Sequence, residues 1–189
     1  MIGALPCNII IDDVEYPIRT DFRDCLLIIS AFMDDGLTDE EKAFICLKIL
    51  YKDDISADIL EKAYKKACWF LNGGKFEDID ENNNNKPQLV LYNWNKDEQI
   101  IFSAINKVAG REVRADAYLH WWTFLGLFNE IGEGSFSTIV NIRQKKAKNK
   151  KLEKWEQEFY REHKDMIDLK QNKRSEADRK ALDELLKGV

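Results

Sequence analysis

The stretch from Ala115 to Ile131, ADAYLHWWTFLGLFNEI, limits the possible folds more than any other part of the chain. At 3.6 residues per turn, Tyr118, Trp121, Trp122, Leu125 and Phe128 share one side, while Ala117, Phe124, Leu127 and Ile131 spread apolar surface most of the way round. Asp116, His120, Thr123 and Glu130 leave only a thin polar seam. A helix of this kind is stable only when neighbours cover it, so the pattern predicts a central aromatic helix packed inside a domain of other amphipathic helices.

The remainder of the sequence supplies such helices. Thr20 reads as an N-cap, with Asp21 in the first turn, opening a helix through FRDCLLIISAFMDD that ends near Gly36. Thr38-Asp39-Glu40-Glu41 is a capping box, and the helix it starts carries Phe44, Leu47, Ile49, Leu50 and Tyr51 as its buried side. Ser56 reads as the cap of a third helix, with Ile59, Leu60, Ala63, Ala67 and Phe70 at helical spacing and Gly73-Gly74 as its stop. Asn95 reads as the cap of a helix ended by Gly110, preceded by QLVLYNW as a short strand or extended lead-in. Ser135 reads as the cap of FSTIVNIR. Ahead of the helices, NIII and VEYPI around Asp12-Asp13 read as a hairpin, with Pro17 at an edge or strand end. A lone hairpin is marginal, so it is expected to lie against the helices.

The expected fold is therefore mainly α: a compact multi-helix domain around the aromatic helix, with a short N-terminal β-hairpin and a long amphipathic C-terminal helical segment. With 189 residues, 44% of them hydrophobic, the chain can bury one real core. Two parts are expected, a helical core with its hairpin over 1–142 and a basic, charged helical segment over 143–189. A flexible acidic and asparagine-rich linker is expected at about 75–87. In that linker Asp78, Asp80 and Asn82 have the oxygen spacing of a calcium loop. Asn83 stands at the turn glycine and Leu89 at the bidentate glutamate, which favours a solvated connection.

Charge divides the chain at the same place. From Arg143 onward there are 15 basic and 10 acidic residues, against 14 basic and 24 acidic before it, so an acidic body carries a basic tail. The tail opens with RQKKAKNKK and continues into a helix from about Leu152 to Leu169, with Leu152, Trp155, Phe159, Met166 and Leu169 on one stripe. So narrow a stripe suits packing on one neighbour or a partner helix. Asn172 breaks it, and Ser175 to Asp178 open a last helix with Leu182, Leu185 and Leu186 as contacts.

Little in the sequence suggests chemistry. His120 and His163 are the only histidines, and neither has a nucleophile at a spacing that predicts contact. No P-loop or glycine-rich dinucleotide fingerprint occurs. The expectation is a protein that is not an enzyme and uses no cofactor or metal. His120 lies four residues after Asp116, which favours a structural clamp in the polar seam over a catalytic pair. Cys7, Cys25, Cys46 and Cys68 form no C-x-x-C pair, and three of them sit in apolar helical runs as small hydrophobes. No apolar run reaches the roughly 18–20 residues of a membrane span. The N-terminus lacks a secretion signal, so a cytoplasmic address is expected. The basic run has three readings, in falling order: a solvated helix end, a surface for an acidic protein partner, and a nucleic-acid contact, the last lacking interleaved aromatics.

Longer pieces have a further likeness. DFRDCLLIISAFMDDGLTDEEKAFICLKILYKD, then YLHWWTFLGLF, then STIVNIRQKKAK and a charged helix resemble the phage family named after gene product fifteen of siphophages of Gram-positive hosts, from about Ile9 to Leu169. The most specific pieces are Leu119, His120, Trp121 and Trp122 with Phe124, and the Ile142-Arg143 pair some twenty residues later. The resemblance implies a non-enzymatic protein encoded near the major tail and tape measure proteins and similar to tail assembly chaperones. By that analogy it binds the tape measure protein, tail-tube subunits or both in the host bacterial cytoplasm, with a homo-oligomer and retention in the virion left open. Arg143, Lys145, Lys146, Trp155 and Phe159 are the expected partner-binding residues. The competing readings are a structural tail or connector component, a nucleic-acid-binding regulator, and an enzyme of unknown type.

Overall fold

The computed structural model describes residues 3–75 and 90–169. The linker over 76–89, with its calcium-like spacing, and the helix expected after Asn172 lie outside the described residues. The fold is mainly helical. A hairpin of β1 (Asn8–Ile11) and β2 (Val14–Pro17) leads into α1 (Phe22–Phe32), α2 (Asp39–Leu50) and α3 (Leu60–Leu71). After the linker come α4 (Glu98–Ala109), α5 (Trp121–Asn129), α6 (Ser135–Ala147), α7 (Lys154–Glu162) and α8 (Lys164–Ile167).

The hairpin forms where the turn chemistry places it. Asp12 and Asp13 both take left-handed backbone, with φ of 48° and 64°, which matches the right-handed twist of the flanking strands. The register pairs Ile9 with Tyr16 and Ile11 with Val14. Alternation then sends Ile9 and Ile11 inward, where β1 packs on α3. The strand beyond Pro17 is tied to α2: the Arg19 guanidinium donates to the carbonyls of Lys48, Ile49 and Tyr51 at 3.3, 2.8 and 2.7 Å. Those carbonyls stand at the end of α2, where the helix leaves them without partners.

The capping box at the start of α2 is present in both directions, Thr38 Oγ1 accepting from the Glu41 amide and Glu41 Oε2 accepting from the Thr38 amide. Gly110 closes α4 in left-handed backbone, as its position predicts. Other caps differ by one or more residues. Asp21, not Thr20, caps α1, because its Oδ1 accepts from the Arg23 amide at 3.0 Å, and the Thr20 hydroxyl is instead within 2.7 Å of the Tyr118 hydroxyl. Asp97, not Asn95, stands at the head of α4, since Asn93 Oδ1 accepts from the amides of Asn95 and Lys96 and holds them in a turn. Ser135 is the first helical residue of α6 rather than its cap. The Ser56 hydroxyl caps no backbone amide, because a 3-10 turn over Ala57–Ile59 intervenes before α3. The QLVLYNW lead-in is irregular from Val90, its described part.

The central aromatic helix is shorter than its periodicity predicts. It begins at Trp121 instead of Ala115. Residues 116–120 are drawn out of helical geometry by α1's leading segment: the Phe22 amide donates to the Leu119 carbonyl at 3.0 Å, and the Trp121 amide to the Thr20 carbonyl at 2.7 Å. The Leu119 amide also donates to Asp21 Oδ2. Tertiary hydrogen bonds here outweigh local helix propensity, which is worth under about 1 kcal/mol per residue. Tyr118, placed on the apolar side by the spacing, is consequently 55% exposed.

One main core unites the hairpin with α1 to α5 and, through Phe136 and Val140, the first half of α6. Phe22 of α1 and Phe124 of α5 stack at 4.7 Å, with Trp121 stacked on Phe124 at 5.7 Å. Cys25 and Cys46 are buried among them, and burial pushes both thiols far above their ordinary pKa. On α2 the deepest residues are Cys46 and Leu50, with Phe44, Leu47 and Ile49 half-buried; on α3 Leu60 faces outward and Leu71 takes a buried place instead. A second, smaller cluster gathers Ile139 and Ile142 of α6 with Ile167 of α8. Among the described residues no helix is long and apolar enough to cross a membrane.

Candidate functional site

The Leu119 to Trp122 motif is an internal clamp. Trp121 Nε1 donates to the Leu71 carbonyl at 2.9 Å and Trp122 Nε1 to the Phe70 carbonyl at 2.8 Å. Both carbonyls lie in the last turn of α3, outside its i to i+4 ladder; that of Phe70 also accepts from the Gly73 amide at 3.1 Å. The tandem tryptophans thus cap α3 from the side, Trp121 with its ring buried and Trp122 with its ring half-buried. Trp122 also sets the shape of the turn after α3: Gly74 has φ +86°, and a Cβ there would come within 2.9 Å of the Trp122 ring.

His120 does not bond Asp116. Its Nδ1 accepts from the Trp122 amide at 3.0 Å, which makes it the N-cap of α5, and its Nε2 lies 3.0 Å from the Pro6 carbonyl. That pattern requires the proton on Nε2, which donates to Pro6. Asp116 is bound by Arg111 instead, through Nε at 3.1 and 3.2 Å and Nη2 at 2.9 Å. The clamp expected within one helix is replaced because residues 116–120 are not helical, so the i, i+4 geometry never forms.

Arg143 is the larger surprise. The sequence places it in a solvated basic run, but it is 6% exposed and its five guanidinium hydrogen bonds are all made inside the protein. Nη1 and Nη2 grip Asp97 at 2.6 and 2.9 Å. Nη1 also donates to the Leu91 carbonyl, Nε to Ile167 and Nη2 to Met166, at 3.0, 2.7 and 2.7 Å. A guanidinium carries five N–H donors, so one side chain binds α6 to the head of α4, to the lead-in segment and to α8. Arg143 is therefore a structural tie and not a partner-facing residue. Its burial was not legible, because Asp97 lies 46 positions away.

The neighbouring lysines are likewise engaged. Lys145 Nζ donates to Glu156 Oε1 and Lys146 Nζ to Asp168 Oδ1, each at 2.6 Å, and the Tyr160 hydroxyl joins Asp168 at 3.0 Å. The Lys96 ammonium adds a bond to the Asp168 carbonyl. Lys146 holds the Asp168 carboxyl below its ordinary value against the opposing effect of burial. For Glu156 burial is the largest influence and pushes upward, but the Lys145 ammonium and the Glu153 amide together bring it below the usual carboxylate range.

The amphipathic stretch after Leu152 is two helices, parted at His163, and its stripe is split between two environments. Phe159 and Leu152 pack on the small cluster, whereas Trp155 and Met166 are 54% and 42% exposed. Of the five expected partner-binding residues, only Trp155 is largely open to a partner. Met166, placed on that stripe by its spacing, stands on α8 beyond the break at His163 and is the second residue of the stripe left exposed.

The class these features define is a mainly helical protein, with tandem tryptophans closing its core and a short C-terminal arm, residues 152–169, strapped to α6. The family model described as Bacteriophage Gp15 protein matches residues 1–169, and the chain belongs to that family. The match spans the hairpin, the tryptophan clamp and the arm alike. No curated protein and no solved structure matches the chain significantly.

Proposed function

We propose that this phage protein is a tail assembly chaperone, a non-enzymatic partner of the tape measure protein, tail-tube subunits or both, acting in the host cytoplasm. The observation that carries the reading is family membership across residues 1–169, which includes the arm as well as the core. The surface chemistry supports it. Trp155 and Met166 stand exposed on the arm, and lysines 148, 150, 151 and 154, which precede Trp155 in the sequence, are exposed as well, a combination suited to an amphipathic helical partner with acidic residues. Half of the six cations in the basic run, namely Arg143, Lys145 and Lys146, are occupied internally, which weakens a nucleic-acid reading.

Co-expression with the tape measure protein encoded nearby tests the proposal. The expected result is a soluble complex that dissociates when Trp155→Ala and Met166→Ala are combined, with tape measure protein precipitating when expressed alone. If no complex forms and mass spectrometry finds the protein in purified virions, it is a structural tail component instead.

A further inference from the structure

The arm is joined to the body by a compact helix stop. Lys148 ends α6, Asn149 takes left-handed backbone at φ +51°, the Lys150 amide donates to the Lys145 carbonyl at 2.8 Å and the Asn149 amide to Lys146 at 3.0 Å. This is the Schellman arrangement, which glycine normally serves. Here asparagine bears it, flanked by three lysines, residue types that favour continued helix.

Beyond the stop, the arm is held by ion pairs, by hydrogen bonds to its carbonyls and by an apolar cluster. The α6 side offers Arg143, Lys145 and Lys146; the arm returns Glu156, Asp168 and the carbonyls of Met166 and Ile167. The apolar share is local, with Ile139 and Ile142 receiving Ile167, Phe159, Leu152 and Tyr160. The arm is therefore a short ligand with a matching seat, tethered by a turn that asparagine serves less firmly than glycine would.

We propose that this arm is exchanged between two copies of the chain. Asn149 leaves the left-handed conformation, α6 and α7 become one helix over 135–162, about 40 Å long at 1.5 Å per residue, and each arm docks in the other copy's seat. A second copy is the occupant that the seat fits, because its Glu156, Phe159, Ile167 and Asp168 repeat the contacts of the closed form, while the stop and the cap of α7 at Glu153 are given up for continuous helix. The two hydrogen bonds of the stop are replaced by ordinary helical ones, and a short hinge between a helix and its docked arm is where such exchange takes place. The exchange involves this chain alone, so its fate is independent of tape measure binding.

The test is sedimentation of the full chain from micromolar to millimolar concentration, with two hinge variants and one mixing experiment. Asn149→Ala, which disfavours the left-handed turn, is expected to raise the association constant roughly tenfold, and Asn149→Gly to lower it by a similar factor. Lys146→Glu and Asp168→Lys each place like charges within one closed strap. Mixed after refolding together, they pair matched charges only across an exchanged dimer, so heterodimers exceed the statistical share. A chain that stays monomeric throughout, a dimer indifferent to Asn149, or statistical mixing each overturns the exchange.

Discussion

Arg143 and Asp97 meet through two parallel hydrogen bonds, Nη1 to Oδ2 at 2.6 Å and Nη2 to Oδ1 at 2.9 Å, with side chains only 5% and 1% exposed. Losing one partner of such a pair leaves the other charge buried without its counter-charge. Arg143→Ala is expected to destabilise the fold by about 3–5 kcal/mol. Arg143→Lys keeps the charge but not the planar fork, so it recovers only part of that loss. Urea denaturation of the single variants and of Arg143→Ala with Asp97→Ala gives the coupling, expected at about 1–3 kcal/mol. A loss under about 1 kcal/mol in Arg143→Ala would return this residue to the surface role that its sequence neighbourhood suggests.

The tryptophan clamp makes a graded prediction. Trp122→Phe keeps a stacked ring against Phe70 but removes the bond to the Phe70 carbonyl, at an expected cost of about 0.5–1.5 kcal/mol. Trp121→Phe strands a buried carbonyl at Leu71 and leaves a gap in the core, so its cost is larger, about 2–4 kcal/mol. Gly74→Ala forces a Cβ onto the Trp122 ring at a positive φ, which adds strain of about 1–2 kcal/mol. Thermal denaturation orders the three, and equal losses in the two tryptophan variants would contradict the capping account.

Local chemistry explains why some of this was readable in the sequence. The Asp12-Asp13 turn, the Thr38 capping box and the Gly110 stop depend on residues within three or four positions, and each forms as its sequence predicts. The motif around His120 and Trp121 marked the centre of the core correctly. Its conformation was not readable, since the bonds from Thr20 and Phe22 that unwind 116–120 come from nearly a hundred residues earlier. Arg143 and the lysines after it follow the same rule: a run of six cations reads as solvated until Asp97, Glu156 and Asp168 are brought to it. The helix break at His163 carries no proline or glycine to announce it.

His120 offers a clean separation of its two bonds. His120→Ala removes both the cap on the Trp122 amide and the tie to Pro6, at an expected cost of about 1–2 kcal/mol. His120→Asn retains an acceptor suited to the N-cap position and is expected to recover about 1 kcal/mol of that loss. Chemical denaturation of the two variants reads the difference. If asparagine recovers nothing, the Pro6 bond and the ring's packing against Phe70 are the whole contribution.

The arm should respond to pH in a defined window. Lys146 lowers the Asp168 carboxyl, and for Glu156 the Lys145 ammonium and Glu153 amide outweigh the upward push of burial. Carboxylates lowered in the folded state bind fewer protons than in the unfolded chain, so their contribution is complete above the ordinary range near 4. It is lost as pH falls through their folded values. On Lys146, burial pulls downward, but bonds to Asp168 and Tyr160 leave the ammonium raised, so its share is present through neutral pH and fades only in strong alkali. Hydrogen exchange, corrected for intrinsic rates, is expected to show α7 and α8 losing protection between about pH 5 and 3 while α3 keeps its own. Asp168→Asn should lower α8 protection at pH 6 and flatten its acid response. Parallel loss of protection in α3 and α7 would mean that the arm opens only with the whole fold, and that its ionic straps are not what sets its attachment.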